Sequence, residues 1–438
     1  MADPELHDGP KEDLHSLRAR DVTLNELSDQ IQRSAAARAA AAFGETADLA
    51  SLRGLLQDRP VLITGSAGYL GLALHLTLRK LGVSVIGVDV VPGETVDSIA
   101  DVADAEAMRR CGQACGAVFH TAALHAPHAS SWHARDFTAT NVVGTTNVLA
   151  LGLPTVHTST TSLTISPRVK QREKAGELVW LDEQSQRPDL TTTGGDGDGS
   201  GDAYDEALDA PRNKYGRTKL EAEQRCLAAA AAKRDGDGDG DGDGAGVAVV
   251  VLRAPRFFPE DPIVGSEERA LPLPNVKANE LLGRRCGLAD LIDAHLRALA
   301  RIRLVRGMLL TVAAPWPLAR PPDGAPSSSS PSSSSSAVAA HDAAVELRAR
   351  FPRAERLFAR HGWRLPDRVT RVYDSDAAVR ALGWQPHVTF EALLRVMEEA
   401  EAAEEAEVEK GEAPEGGAKS IGTATADLVL EELLCGKY

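Results

Sequence analysis

The sequence predicts an α/β fold, a doubly wound parallel sheet with a smaller C-terminal lobe interleaved into it. Three observations carry this expectation. From about residue 60 to 160, short β-rich apolar runs alternate with amphipathic helical stretches, the pattern of parallel strands joined by crossover helices. The first run, Val61-Leu62-Ile63, leads directly into Thr64-Gly65-Ser66-Ala67-Gly68-Tyr69-Leu70-Gly71, a glycine-spaced turn between a strand and a helix. Later runs, Val247 to Leu252 and Met308 to Val312, return to strand character after long polar interruptions. The second of them is expected to rejoin the sheet, so the smaller lobe interleaves with the core instead of following it.

Residues 1–57 hold helix formers around Ile31 to Phe43 and no reactive constellation; they read as an N-terminal helical extension. In the glycine turn a strand ends at Ile63 and a helix begins near Tyr69. Glycines at 65 and 68 permit a tight turn whose backbone N–H groups, from Ser66 to Leu70, can approach a pyrophosphate at the positive end of the helix. Gly71 lets that helix lie close to the sheet. The next run, Val83 to Val88, closes in Asp89, 24 residues beyond Gly65, where a carboxylate can hold the adenosine ribose hydroxyls. Val90 and Val91 follow, with no arginine for a 2′-phosphate. The residues therefore favour NAD over NADP.

Further landmarks occur in order. Asp101-Val102 follows a third short strand, and His120-Thr121-Ala122-Ala123 closes a fourth. Asn141-Val142-Val143-Gly144-Thr145 opens the next helix. Ser159-Thr160-Thr161 lies at the end of a strand read from Pro154 to His157. Tyr215-Gly216-Arg217-Thr218-Lys219 opens an Ala- and Glu-rich helical stretch, and Leu252-Arg253-Ala254-Pro255 and Ala381-Leu382-Gly383-Trp384-Gln385-Pro386 come later. Over roughly residues 58–400 the chain resembles the extended short-chain dehydrogenase/reductase family, the NAD-dependent epimerase/dehydratases. The resemblance implies a Rossmann-type fold and catalysis by Tyr215, Lys219 and Thr160. It also implies cofactor contacts from Gly65, Ser66, Gly68, Tyr69, Leu70, Gly71, Asp89, Asp101, Val102 and Ala122, and from Tyr215 and Lys219 themselves.

A free tyrosine has a pKa near 10 and is a poor base at neutral pH. A lysine four residues along the same helix face can stabilise its phenolate, so that Tyr215 exchanges a proton with a substrate alcohol as hydride moves. In the family the lysine also holds the nicotinamide ribose, and a Ser/Thr hydroxyl, here aligned with Thr160, positions the substrate oxygen.

The substrate is less legible. His125 and His128 follow the fourth strand, at the end where open α/β sheets bind ligands; they can contact substrate, act as an auxiliary acid, or be plain loop residues. Phe257 and Asn275 fall where relatives read a substrate's distal half, and Ser159, just before Thr160, is a further candidate substrate contact. Arg284 and Arg285 read equally as a diphosphate grip and as a solvated basic turn. Gly287 replaces the larger residue that sugar-nucleotide enzymes often carry.

The expected organisation is a helical extension over 1–57, an NAD-binding Rossmann domain over 58–253 with Gly/Asp-rich insertions near 194–202 and 235–244, a substrate-binding lobe over 254–400 with a Pro/Ser linker at 321–336, and an acidic tail over 401–438. The Asp-Gly tract reads as a solvated linker, since an EF-hand needs a Glu at position twelve and flanking helices. The 438 residues are 43% hydrophobic with a net charge of −15, which argues against nucleic acid and anionic membranes as partners. Five cysteines, scattered and odd in number, suggest neither a disulfide framework nor a metal site. No apolar run approaches the roughly 18 residues of a membrane span, and the acidic N-terminus is unlike a signal peptide; a cytoplasmic location and a small-molecule substrate are expected, with a homodimer left open. Three functions stand at this point: an epimerase or dehydratase of a nucleotide sugar, a dehydrogenase/reductase of a smaller alcohol or carbonyl, and a non-catalytic NAD-binding protein.

Overall fold

The computed structural model describes residues 22–125, 132–185, 206–232, 246–257, 271–318 and 340–409. His128, both Gly/Asp-rich insertions, the Pro/Ser linker and the tail beyond residue 409 lie outside the described residues.

Seven strands build the main sheet: β1 (Val61–Thr64), β2 (Val85–Asp89), β3 (Ser98–Ile99), β4 (Ala117–His120), β5 (Thr155–Thr160), then, after β6 (Val179–Leu181) in the second lobe, β7 (Val249–Ala254) and, further on, Leu309–Thr311. Their order across the sheet is the strand Leu309–Thr311, β7, β5, β4, β1, β2, β3, and every pairing is parallel. Strands buried on both faces explain the continuous apolar runs. Successive residues face opposite layers. Val61, Ile63, Phe119, Val156 and Val250 join one cluster with the helices Tyr69–Lys80 and Leu288–Ala300. Leu62, Val88 and Val118 face the other layer with Met108 and Val148.

The structure adjusts several expected boundaries. β5 runs on through Thr160 because its residues Thr155 to Thr160 continue register with Val249 to Ala254, and β-branched threonines suit a pleated strand. Ser159 and Thr160 are therefore strand residues, not residues beyond its end. β3 is two residues long, and Asp101-Val102 follow it. The strand Leu309–Thr311 does rejoin the sheet, beside β7.

The N-terminal helices Val22–Gly44 and Ala47–Leu56 bury Phe43, Leu52 and Leu56 in the main core, and Asp48 pairs with Arg297 and Arg301 of the helix Leu288–Ala300 and its end. The second lobe has its own core around Phe351, Phe358, Trp363, Val372 and Phe390. In it β6 pairs with the strand Arg371–Tyr373, and the short strands Arg256–Phe257 and Arg285–Cys286 pair with each other. In the acidic helix Phe390–Glu409, Glu398 pairs with Arg353 at 3.0 Å, and Glu401 with Arg356 and Arg360.

Candidate active site

The glycine turn is shaped by contacts that admit no side chain. Gly65 has φ +74°, and a Cβ there would lie 2.7 Å from the Ala122 backbone nitrogen, so Ala122 touches the turn through its main chain. A Cβ on Gly71 would meet the Gly65 carbonyl oxygen at 2.1 Å. The turn is tied to β2, since the N–H groups of Gly65 and Ser66 both donate to the Val88 carbonyl, at 2.8 and 3.2 Å. Gly68 is the N-cap of the helix Tyr69–Lys80, and no side chain caps it among the described residues. Its first turn, with Tyr69, Leu70 and Gly71, therefore keeps the N–H groups that suit an anion. Ser66 is buried, and its hydroxyl has no partner among the described residues.

Asp89, closing β2, already uses its carboxylate locally. One oxygen accepts from Ala67 N–H at 3.0 Å and the other from Val91 N–H at 3.2 Å, which holds the acid over the turn. Val102 is buried, and a Cβ on Gly144 would come within 2.5 Å of its methyl. Asp101 is exposed and accepts from Ala103 N–H at 2.9 Å.

The second half of the site comes from the helix Lys214–Ala231, started by Asn213, whose side chain accepts from Gly216 N–H at 2.8 Å. Burial pushes the Tyr215 phenol up to about 12, and the neighbouring Thr160 hydroxyl pulls it back. Thr160 is held in turn by Ser162, with the two hydroxyl oxygens 3.0 Å apart and Ser162 N–H donating at 3.1 Å. Lys219 is buried, and its ammonium donates to the Thr158 carbonyl at 2.7 Å and lies 3.2 Å from His157 Nε2. Burial brings it down to about 8, while Cys226 and Glu223 act the other way. The groups that move the Tyr215 phenol in the described residues are its burial and then Thr160.

The candidate substrate residues divide. His125 is exposed, with its ring 6.0 Å from the Tyr215 ring, and Ser159 is buried on β5 with a hydroxyl that has no partner among the described residues. Phe257 lies on the short strand beside Arg285–Cys286. Asn275 and Arg285 are engaged inside the second lobe: Asn275 exchanges two hydrogen bonds with the Arg364 backbone, and Arg285 pairs with Glu280 at 3.0 Å. Arg284 is half-buried, and burial followed by the neighbouring Arg371 lowers its pKa. Asp290 accepts from the N–H groups of His387 and Val388 at 2.9 and 2.8 Å, a structural clamp. Sequence reasoning quoted His120 and Arg253 only within motifs and missed Ser162, His157 and the buried pairing of Arg253 with Glu223.

A parallel sheet with a glycine-tight first turn, an acid closing β2, and a buried tyrosine and lysine beside a strand-end threonine make up a Rossmann-like α/β domain. Residues 61–177 match the model of the NAD dependent epimerase/dehydratase family. The matched segment runs from β1 past β5 and ends before Tyr215 and Lys219. No curated protein matches the chain. Similar solved structures include a UDP-glucose-4-epimerase from Stenotrophomonas maltophila with bound NAD and formylated UDP-arabinopyranose, at 18% identity over 80% of this chain and 99% of that one, TM-score 0.45. A short-chain dehydrogenase/reductase superfamily protein from Agrobacterium tumefaciens with bound NAD gives 18% identity over 80% and 99%, TM-score 0.47. A UDP-glucose 4-epimerase from Thermotoga maritima with UDP-glucose gives 17% over 79% and 99%, TM-score 0.44. Among the described residues no helix is long and apolar enough to cross a membrane.

Proposed function

We propose that this chain is an epimerase/dehydratase-type enzyme that binds NAD and moves hydride to and from a hydroxyl-bearing carbon, with Tyr215, Thr160 and Lys219 as its catalytic groups and a nucleotide sugar as substrate. The observation that carries the reading is Lys219, buried one turn along the helix from Tyr215 and anchored by its ammonium on the Thr158 carbonyl of β5, the strand that ends in Thr160. The residues present fit the cofactor: a Cβ on Gly65 or Gly71 would fill the cradle, the helix start behind it is uncapped, and the buried Ser66 hydroxyl is unpartnered.

NAD, when bound, supplies the hydride acceptor. The chain's own groups manage the proton. Tyr215 takes it from the substrate hydroxyl as the C–H bond gives up its hydride, and returns it in the reverse step. A phenol near 12 needs help to do so, and a positive charge brought near it lowers its pKa. Thr160, ordered by Ser162, donates toward the phenolic oxygen and stands where a substrate oxygen can share the bond. Asp89 would turn from Ala67 N–H to ribose hydroxyls and would repel a 2′-phosphate.

Gly287 favours a second reading, a dehydrogenase/reductase of a smaller alcohol or carbonyl. A Cβ there would lie 2.5 Å from a Val388 methyl, so the larger side chain common in sugar-nucleotide enzymes has no room. Fluorescence titration with NADH and NADPH tests the cofactor, with tighter NADH binding expected, and equal or tighter NADPH binding refutes the role given to Asp89. A screen of nucleotide sugars and simple alcohols then separates the readings. Conversion of a nucleotide sugar without net NADH supports the first, and stoichiometric NADH from a small alcohol supports the second.

A further inference from the structure

His157 places an imidazole inside a strand packed on both faces, a position that ordinarily carries an apolar side chain. It is fully buried, and its Nε2 lies 3.2 Å from Lys219 Nζ. The same ammonium donates to the Thr158 carbonyl at 2.7 Å. An ammonium has three protons and accepts nothing, so these contacts take two of the three. With Lys219 donating, Nε2 is the acceptor and the imidazole proton sits on Nδ1, which has no partner among the described residues. Leaving a buried donor unmet costs about 1–3 kcal/mol, a cost accepted here in a ring that grips the lysine. His120 walls that ring in. Its centroid is 5.1 Å from that of His157, and both its nitrogens are held, Nδ1 by Thr64 Oγ1 at 2.7 Å and Nε2 by Thr145 Oγ1 at 3.0 Å.

We propose that His157 is a positioning residue for Lys219: its Nε2 and the Thr158 carbonyl together orient the ammonium and leave one proton for a ligand hydroxyl. The proposal rests on the reading of Lys219 as a cofactor- and catalysis-related lysine. The charged and titratable groups around Lys219 are few. On its own helix stand Glu223 and Cys226, which favour its charged form, and Glu223 is itself tied to Arg253 of β7. From the strands come His157 and His120, and from the helix Leu288–Ala300 comes His295, whose Nε2 bonds Thr158 Oγ1 at 2.8 Å. Burial keeps all three imidazoles well below the ordinary value. His157 is therefore a neutral acceptor at physiological pH, and taking that acceptor away disfavours the ammonium.

The test reads Lys219 directly. In protein labelled with [ε-¹³C]lysine, the resonance absent from Lys219→Met identifies Lys219, and its pH midpoint is followed in the variants. His157→Gln sets an amide oxygen where Nε2 stood and should keep the wild-type midpoint. His157→Asn carries the same amide but reaches only to the place of Nδ1; it should lower the midpoint by about one pH unit, the worth of one hydrogen bond to a charged group. His157→Phe, which fills the space of the ring without an acceptor, should do the same and replaces the Asn variant if that fails to fold. NADH titration across the same pH range should show the alkaline loss of affinity moving with the lysine midpoint. Equal midpoints in wild type, Gln and Phe variants that melt normally overturn the proposal. If the wild type binds no NADH at any pH, the cofactor reading falls, while the lysine midpoints still decide what His157 does.

Discussion

The place a Cβ would take on Gly71 lies 2.1 Å from the carbonyl oxygen of Gly65. The two ends of the turn are thus in main-chain contact across the start of the helix Tyr69–Lys80. Such a contact cannot be relieved by rotating a side chain, because the obstructing atom belongs to a backbone that is strapped to Val88.

Gly71→Ala should therefore push the helix away from β1. Overpacking in a close-fitted interior costs about 1–3 kcal/mol, which should appear as a lowered melting temperature. The helix start would also shift away from the position that suits a pyrophosphate, so NADH affinity should fall by at least about tenfold, equivalent to roughly 1.4 kcal/mol. Unchanged melting and binding would show that the turn has slack.

The glycine turn, Asp89 and the Tyr215 helix could be read from the sequence because each depends on local geometry at short spacing. Gly65, Gly68 and Gly71 are set by one turn, and Tyr215 and Lys219 by one helix. What resisted reading depends on pairings between distant segments. Nothing near Arg253 announces that its guanidinium meets Glu223 of another element. His157 reads locally as an odd residue in a strand, and only the packing of the Tyr215 helix on β5 brings Lys219 to it. The end of β5 was misjudged because threonines serve equally in strands and turns; six rungs with β7 decided the matter.

Glu223→Gln should be severely destabilising. Arg253 and Glu223 are both almost wholly buried and meet at 2.8 and 3.0 Å, while the remaining arms of Arg253 reach only carbonyls, that of Ser185 at 3.0 Å among them. Removing one partner of a buried pair leaves an uncompensated charge, at a cost of about 3–5 kcal/mol. Urea denaturation should register that loss; a change below about 1 kcal/mol, the scale of an exposed pair, would mean that the pair is solvated in solution.

Lys219 should make stability rise with pH in the mildly alkaline range. Its folded pKa is about 8 against an ordinary 10.5. Below pH 8 both states carry the proton and the full cost of the buried ammonium stands. Above it the unfolded chain binds a proton that the folded chain has shed, so unfolding becomes harder until the ordinary value is passed. Tyr215, raised to about 12, acts in the opposite sense only above its ordinary value near 10. From about pH 7.5 to about pH 9.5, the unfolding free energy of wild type relative to Lys219→Met should therefore climb by about 2 kcal/mol. A flat difference would place the ammonium in contact with solvent.

Tyr215→Phe should lower turnover on the eventual substrate by about 10² to 10⁴, the usual contribution of a positioned acid or base, with NADH affinity nearly unchanged because the ring and its packing remain. Thr160 supplies a finer test. The Thr160 hydroxyl is what opposes the rise in the tyrosine's pKa, so Thr160→Val should move the alkaline limb of the kcat/KM profile to higher pH as well as slow the reaction. Thr160→Ser keeps the hydroxyl, with Ser162 still 3.0 Å from its place, and should leave the limb where it was. A profile that ignores Thr160→Val would detach the threonine from proton transfer. Near-full activity in Tyr215→Phe would remove the tyrosine as well, and would bring forward the exposed His125, whose ring lies 6.0 Å away, as the group that exchanges the proton.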